Sequence, residues 1–199
     1  MAALQSTAAE LTTCLFISMK RLAVLFSCLC IISPLLVNGA DSIDAQIQAA
    51  TRVKKGETAP DFTCKTTVGR AFNLGAQKGK VVLLYFFAAS VPFSFTEMRY
   101  IQKEIVEKLE KREDFAVLCI GRGHSREELV RIGGENMLRL PMAADADKTI
   151  YERYFSKFVP RAVLIAKDGT IAFQMSGSKE FEGIVKLQQA LDVELRRGR

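Results

Sequence analysis

The run of residues 81–98 constrains the fold most, because an apolar segment passes there directly into a helix-like segment. Its first half, Val81–Phe87, has no charged residue and is rich in β-branched and aromatic side chains. Such a run is typical of a strand that is buried on both faces of a sheet. After Pro92, the residues Ser94–Glu97 match a helix start signal. The run therefore predicts a central strand that turns into a helix, a place where enzymes often carry a nucleophile.

Length and charge limit the function only broadly. The chain of 199 residues is long enough for one domain with extra segments and a sizeable core. Its formal net charge of +6 comes from scattered lysines and arginines. No stacking-aromatic or helix-turn-helix pattern accompanies these residues, so we expect no nucleic-acid partner. Solvated faces and a weak attraction to anionic surfaces explain the charge more simply.

The N-terminal region has the layout of a secretory signal peptide. A basic start, Met19-Lys20-Arg21, precedes residues 22–37, which carry no charge. A short segment with small residues, Asn38-Gly39-Ala40, follows and resembles a cleavage site. Because this layout begins at Met19, we expect residues 1–18 to lie upstream of the true start. With cleavage near residue 39 or 40, residues 19–40 form the signal, and the folded part is exported to the periplasm or the extracellular space.

Two alternatives to a cleaved signal stay open. Residues 22–37 could form an uncleaved membrane anchor and tether the protein, although the run is slightly short for a span and contains Pro34. A lipoprotein signal would use Cys28, but the apolar run continues past that cysteine. In each case residues 41–56 are a polar linker or loose helix, and residues 57–199 form the folded domain.

Strand and helix patterns alternate along the folded domain. A Gly turn between two short strands at 59–74 predicts a β-hairpin that precedes the central strand. The later elements are a helix from Ser94 to Glu113, a strand at 115–120, a helix from Ser125 that Gly133-Gly134 ends near Ile132, a helix from Lys148 to Phe155, a hairpin at 159–175 and a helix from Glu180 to Leu195. This order predicts an α/β sandwich with parallel central strands and an antiparallel edge.

Five segments of this domain carry a family resemblance. They are Ala59-Pro60-Asp61-Phe62, residues 79–84, Glu97-Met98, Val159-Pro160, and residues 163–165 followed by Asp168-Gly169. In this order they resemble the thioredoxin-like fold, and most closely the exported TlpA-like thiol-disulfide oxidoreductases, which are related to the AhpC/TSA family. The resemblance covers residues 57–197 and implies a three-layer α/β/α sandwich with a mixed central sheet and an N-terminal β-hairpin.

The residues that carry the chemistry of that family are missing. Its strand-to-helix turn holds Trp-Cys-x-x-Cys, and here Val91 and Ser94 stand at the two cysteine positions. A peroxiredoxin alignment also places Ser94 at the reactive cysteine. Tyr85, where many relatives have an acid or amide, is not ionised at neutral pH. Because dithiol exchange needs two sulfurs, we expect no redox activity at this turn and interpret Ser94 as a helix N-cap.

Binding could survive the loss of the cysteines. In the resembled family, the residue before a cis-proline offers its backbone to an extended substrate, and Val159-Pro160 matches that pair. We expect a binding groove formed by Val91, Pro92, Phe93, Ser94, Phe95, Phe158, Val159 and Pro160. Our first hypothesis is a non-enzymatic module without a cofactor that captures an unknown polypeptide or exported protein. The alternative for the phenylalanines is packing beneath neighbouring loops.

Two cysteines of the exported part support a rival hypothesis. Cys64 and Cys119 could form one disulfide, but we favour their interpretation as small buried apolar residues. The rival is a thiol-disulfide oxidoreductase or peroxidase, active in redox homeostasis, that uses Cys64 or Cys119. A thiolate is costly within the apolar strand of Cys119, and Cys64 has no helix N-terminus beside it. A third possibility is a structural domain of a larger exported assembly.

Other polar residues do not predict a catalytic or metal site. His124 is the single histidine, and its setting after Gly123 and before Ser125 indicates a surface loop without a functional role. Asp145 and Asp147 could contribute to a metal site, but the following helix start explains both carboxylates as well. We therefore predict no bound metal.

Overall fold

The computed structural model describes residues 39–176 and 182–197. The predicted start at Met19 and residues 19–38 of the predicted signal or anchor lie outside the described residues. The chain divides into two compact units, Met1–Ala45 and Gln46–Arg199. A first helix, α1, spans Gly39–Ala49, where a linker or loose helix was expected. Within the described ranges, no helix is long and apolar enough to cross a membrane.

The second unit is built on a five-stranded mixed sheet. Residues 39–176 and 182–197 contain seven strands: β1 (Thr63–Lys65), β2 (Ala71–Asn73), β3 (Val81–Phe87), β4 (Phe115–Arg122), β5 (Met142–Asp145), β6 (Arg161–Ile165) and β7 (Ile171–Ser176). The sheet order is β5-β4-β3-β6-β7, and β1 pairs with β2 in the predicted antiparallel hairpin. Strands β3, β4 and β5 are parallel, whereas β6 and β7 run antiparallel. The mixed α/β fold class is confirmed.

Helices connect these strands. They are α2 (Phe93–Tyr100), a π-helical segment (Ile101–Val106), α3 (Glu107–Leu109), α4 (Arg126–Glu135), α5 (Tyr151–Tyr154) and α6 (Glu182–Arg196). The first three form one continuous helical stretch, which ends four residues before the predicted end at Glu113. Helix α6 agrees closely with the predicted C-terminal helix.

Alternation along β3 separates two apolar cores. Every residue of Val81–Phe87 is buried, as the sequence predicted. The odd-numbered residues of β3 pack with residues of α2, the π-helical segment, α4 and α6, whereas the even-numbered ones pack with α5 and the segment that carries the N-terminal hairpin. Because neighbouring side chains of a strand point to opposite faces, the sheet is the middle layer of a sandwich.

Three element predictions were wrong in detail. Helix α4 does not end at Gly133-Gly134 but continues to Glu135, and a Cβ on Gly133 would lie only 2.7 Å from Met142 Cε. Gly133 thus lies close to β5, and the flexible end of the Met142 side chain would have to shift to make room for a Cβ there. Strand β5 was missed because its alanines give a weak strand signal. Helix α5 covers only Tyr151–Tyr154 of the predicted range from Lys148 to Phe155.

Candidate functional site

Most of the predicted site lies at one end of the sheet, where β3 stops and β6 starts. This end is called the edge below. Phe87 at the end of β3 pairs with Gly121 of β4, and Phe86 pairs with Arg161 at the start of β6. Strand β3 runs toward this edge and β6 starts from it. The turn at residues 88–92 and the Val159–Pro160 segment therefore leave the sheet at the same edge.

The strand-to-helix turn is closed by backbone hydrogen bonds. The N–H of Val91 donates to the carbonyl of Ala88 at 3.1 Å, and the N–H of Ser94 donates to that of Val91 at 2.9 Å. Helix α2 begins at Phe93, and Pro92 occupies the N-cap position without any side-chain cap. The prediction that Ser94 caps this helix was wrong, because Ser94 already lies inside the first turn.

Ser94 is a buried residue rather than a groove residue. Its exposed fraction is 0%, and its Oγ has no hydrogen-bond partner within the described part of the chain. The predicted partner, Glu97, also points inward, where its Oε2 accepts a hydrogen bond of 2.6 Å from the Tyr85 hydroxyl. Burial, and next the Glu97 carboxylate, raise the pKa of Tyr85 far above its ordinary value. A neutral Tyr85 donor beneath the turn is the result.

His124 lies at the same edge, which the sequence interpretation missed. Its Nε2 accepts a hydrogen bond of 2.9 Å from the backbone N–H of Ala89, the second residue after β3. Its ring stacks on Phe87 with a centroid separation of 6.3 Å, and its Nδ1 lies 3.5 Å from Glu128 Oε2. Since Nε2 accepts, the proton is assigned to Nδ1. His124 therefore holds the turn instead of occupying a free surface loop.

The Val159–Pro160 peptide bond is cis. Pro160 is buried and Val159 is half-buried, whereas Phe158 is 40% exposed. Phe158 has a positive φ of 69°, a conformation that costs a non-glycine residue about 1–2 kcal/mol. Its carbonyl accepts a hydrogen bond of 2.7 Å from the Tyr151 hydroxyl, which fixes this backbone geometry.

The eight residues of the predicted groove differ in accessibility. Pro92 and Phe158 are exposed, and Val91, Phe93, Phe95 and Val159 are half-buried, whereas Ser94 and Pro160 are buried. Phe95 packs against the apolar core and against the ring of Phe87, with centroids 6.3 Å apart. Packing beneath neighbouring residues thus applies to Phe95. The groove as a binding surface stays a prediction.

The two cysteines of the folded unit are separate free thiols. Cys119 is buried in the core on one face of the sheet, and Cys64 packs against the core on the other face. Burial raises the pKa of Cys119 well above its ordinary value. Burial, with a smaller effect of the Asp145 carboxylate, raises the pKa of Cys64 to about 11. Both thiols are therefore protonated at neutral pH.

The acidic residues near α5 act in local structure. Asp145 accepts hydrogen bonds from the N–H groups of Ile150 at 3.0 Å and Tyr151 at 2.8 Å, just before helix α5. Asp147 accepts from the hydroxyl of Thr149 at 3.0 Å. Among the described residues, no group of three or more His, Cys, Asp or Glu is arranged to hold a metal ion.

The sheet order and its flanking helices define a thioredoxin-like fold. A family model described as the AhpC/TSA family matches residues 55–174, more than half of the chain. The chain therefore belongs to the AhpC/TSA family. No curated protein matches the sequence significantly.

Solved structures agree with this assignment. A solution structure from Bacteroides thetaiotaomicron, provisionally described as a protein disulfide isomerase, has a TM-score of 0.71 and 30% identity, and the match covers 75% of this chain and 94% of that chain. A Neisseria meningitidis structure, provisionally described as a thioredoxin, has a TM-score of 0.59 and 26% identity over 71% and 92% of the two chains. The exposed lipoprotein thioredoxin of Streptococcus pneumoniae shares the fold, with a TM-score of 0.56 and 24% identity over 67% and 99%.

Proposed function

We propose that this AhpC/TSA-family chain performs no thiol-disulfide exchange at the family's usual site and instead binds an extended polypeptide there. The observation that carries the proposal is the combination of a sulfur-free turn at residues 88–92 with a Val159 backbone, at the same end of the sheet, that makes no backbone–backbone hydrogen bond to a described residue. The proposed surface, called the edge groove below, consists of Val91, Pro92, Phe93, Phe158 and Val159.

The absence of sulfur at the turn argues against exchange chemistry. Attack on a disulfide requires a thiolate, and resolution of the mixed disulfide requires a second thiol. Val91 has no nucleophilic atom. The Ser94 hydroxyl is buried, and no described residue places a base within hydrogen-bond distance of it. An unactivated hydroxyl is a weak nucleophile at neutral pH. The relatives described as disulfide isomerase or thioredoxin therefore suggest a fold shared with this chain more than an activity shared with it.

The rival hypothesis, catalysis by Cys64 or Cys119, meets a physical obstacle. Cys119 is fully buried, so a disulfide or peroxide substrate cannot reach its sulfur. Cys64 is half-buried, but its pKa near 11 leaves a thiolate fraction on the order of 10⁻⁴ at neutral pH. Their location on opposite faces of the sheet also argues against a dithiol pair.

Main-chain atoms support the proposed binding mode. Neither the N–H nor the C=O of Val159 takes part in a backbone–backbone hydrogen bond within the described residues. Such groups can pair with an added strand, so that affinity comes from backbone bonds and neighbouring side chains supply selectivity. Phe158 and Pro92 offer exposed apolar surface at the same end of the sheet. An extended, apolar-rich polypeptide matches this arrangement.

We also propose that the protein acts outside the cytoplasm. The charge and hydropathy layout of residues 19–40 supports export, as does the likeness in fold to an exposed lipoprotein thioredoxin and to a secreted disulfide oxidoreductase of Mycobacterium tuberculosis. Fusion of residues 1–56 to a reporter enzyme that is active only after export tests this proposal. A reporter that stays inactive, while a known signal peptide activates it, would refute export.

Redox assays test the proposed loss of exchange chemistry. The full chain should neither reduce insulin disulfides nor consume peroxide above the buffer rate. The variant Val91→Cys/Ser94→Cys should form one disulfide that dithiothreitol reduces, since the two positions are three residues apart at a helix start. Turnover by the unmodified chain that disappears in Cys64→Ser or Cys119→Ser would contradict the proposal.

Peptide titration tests the proposed binding. We expect reduced, carboxymethylated insulin B chain to change the amide NMR signals of Val159 and its neighbours. Phe158→Ser should weaken this binding about tenfold, because it removes an exposed apolar contact worth about 1–2 kcal/mol. The matched control is Val68→Ser, since Val68 is 75% exposed but lies on the distant hairpin turn. Equal effects of both substitutions would show that binding is nonspecific.

A further inference from the structure

A cavity lies between the segment after α1 and the edge strand β7, and it shares no lining residue with the edge groove. Its volume is about 310 Å³, at the small end of ligand pockets. Its lining includes the basic residues Lys54, Lys55 and Arg161, the polar residues Thr51 and Gln174, and the apolar residues Phe173 and Met175. No acidic residue lines it among the described residues, so its walls are strongly cationic.

Arg161 is the unusual component of this cavity. It is only 2% exposed, and its Cζ lies 4.1 Å from the centre of the Phe155 ring. Its Nη2 donates a hydrogen bond of 2.7 Å to Thr51 Oγ1, but Nε and Nη1 have no partner in the described structure. Burial lowers the pKa of this guanidinium to about 10, so it is still a cation at neutral pH. A buried charge without an anion opposite it is costly.

Gln174 adds an unused acceptor to the same wall. Its Nε2 donates a hydrogen bond of 2.8 Å to the carbonyl of Val53, which fixes the orientation of the side-chain amide. Its Oε1 is buried and has no hydrogen-bond donor among the described residues. A group that completes this cavity therefore needs a negative charge for Arg161 and a donor for Gln174.

We propose that this cavity binds a small organic anion, in which one carboxylate or phosphate group is carried on a short body with a hydrogen-bond donor. Lys54, Lys55 and Arg161 supply the positive charge, and Phe173 and Met175 contact the apolar body. The ionic interaction is strong because the guanidinium is withdrawn from solvent. Its lining shares no residue with the edge groove, although Arg161 follows Pro160 directly in the chain, so the two proposals rest on different side chains.

Matched ligands separate charge from shape. We would titrate the full chain with 4-hydroxybenzoate, 4-hydroxyphenyl phosphate and 4-hydroxybenzamide, and follow the side-chain amide signal of Gln174 by NMR. We expect saturable shifts with at least one of the two anions, and the stronger of them identifies the preferred acidic group. The neutral amide should bind at least tenfold more weakly. No saturable shift with either anion, or equal binding of the neutral amide, would overturn the proposal.

Variants test the residues that carry the charge. Arg161→Gln should weaken anion binding at least tenfold, which corresponds to about 1.4 kcal/mol. Lys54→Ala/Lys55→Ala should weaken it about threefold or more without loss of folding, because both side chains are exposed. Lys103→Ala, an exposed lysine on the π-helical segment, is the matched control and should have no effect. Unchanged affinity in the double lysine variant would refute the site even if Arg161→Gln did not fold.

Discussion

Replacement of Ser94 by alanine should stabilise the protein, which is an uncommon result for a buried position. The Ser94 hydroxyl is 0% exposed and its Oγ has no hydrogen-bond partner among the described residues. A buried polar group without a partner costs about 1–3 kcal/mol, and alanine is better than serine in a helix by about 0.5 kcal/mol. The small gap left by the oxygen offsets part of this gain. We expect the free energy of unfolding to rise by about 1–2 kcal/mol.

Urea unfolding and thermal melting measure this change. A gain of about 1–2 kcal/mol raises the Tm of a chain of this size by about 2–8 °C. Ser125→Ala is the matched control, because Ser125 Oγ accepts a hydrogen bond of 3.2 Å from the Glu128 N–H in a capping box. That substitution should lower stability by about 1 kcal/mol. If Ser94→Ala lowers stability as Ser125→Ala does, the Ser94 hydroxyl has a partner and our account of the turn is wrong.

Four further results are expected, for His124, Cys64 and Tyr85. His124→Phe should keep the ring stacking but leave the Ala89 N–H without its acceptor. Hydrogen exchange of that amide should become faster, and the free energy of unfolding should fall by about 1–2 kcal/mol. Unchanged exchange would contradict the His124–Ala89 hydrogen bond. Cys64 alkylation by iodoacetamide should be slow at pH 8 and rise toward pH 11. Because this raised pKa keeps the native thiol protonated, its contribution to stability is lost as pH rises from 9 to 11. Tyr85→Phe should lower stability by about 1–3 kcal/mol, because the buried Glu97 carboxylate loses a donor; a change below about 0.5 kcal/mol would exclude that role.

Local patterns predicted the central strand and one tight turn well, because residues close in sequence determine both. The uncharged run Val81–Phe87 is fully buried and lies at the centre of the sheet, as its composition indicated. The turn at Asp168-Gly169 also agrees, since Gly169 has a φ of 90° and Asp168 accepts a hydrogen bond from the Thr170 N–H at 2.8 Å. In both cases neighbours in sequence, or the alternation of a strand, determine the structure.

The candidate site was predicted less well because its contacts join distant parts of the chain. The pattern Ser-x-x-Glu occurs at Ser94 and again at Ser125, but only the second forms a capping box. Glu97 is drawn inward by Tyr85, twelve residues earlier on the central strand. His124 reaches Ala89 across 35 residues, a contact that no local pattern indicates. The sequence signal that could have indicated this contact is the position of His124 just after a predicted strand, at the same end of the sheet as the turn.

Loss of the cysteines and retention of binding are compatible because they depend on different atoms. Exchange requires sulfur at positions 91 and 94, whereas the proposed recognition uses the N–H and C=O of Val159, which any residue would supply. Ser94→Cys, which places one sulfur at the turn but lies outside the edge groove, should therefore still bind the carboxymethylated peptide with an affinity within about threefold of the unmodified chain, or about 0.7 kcal/mol. Titration of both proteins under reducing conditions measures this. A much larger loss of affinity would mean that the side chains of the turn, rather than the Val159 backbone, provide the binding energy.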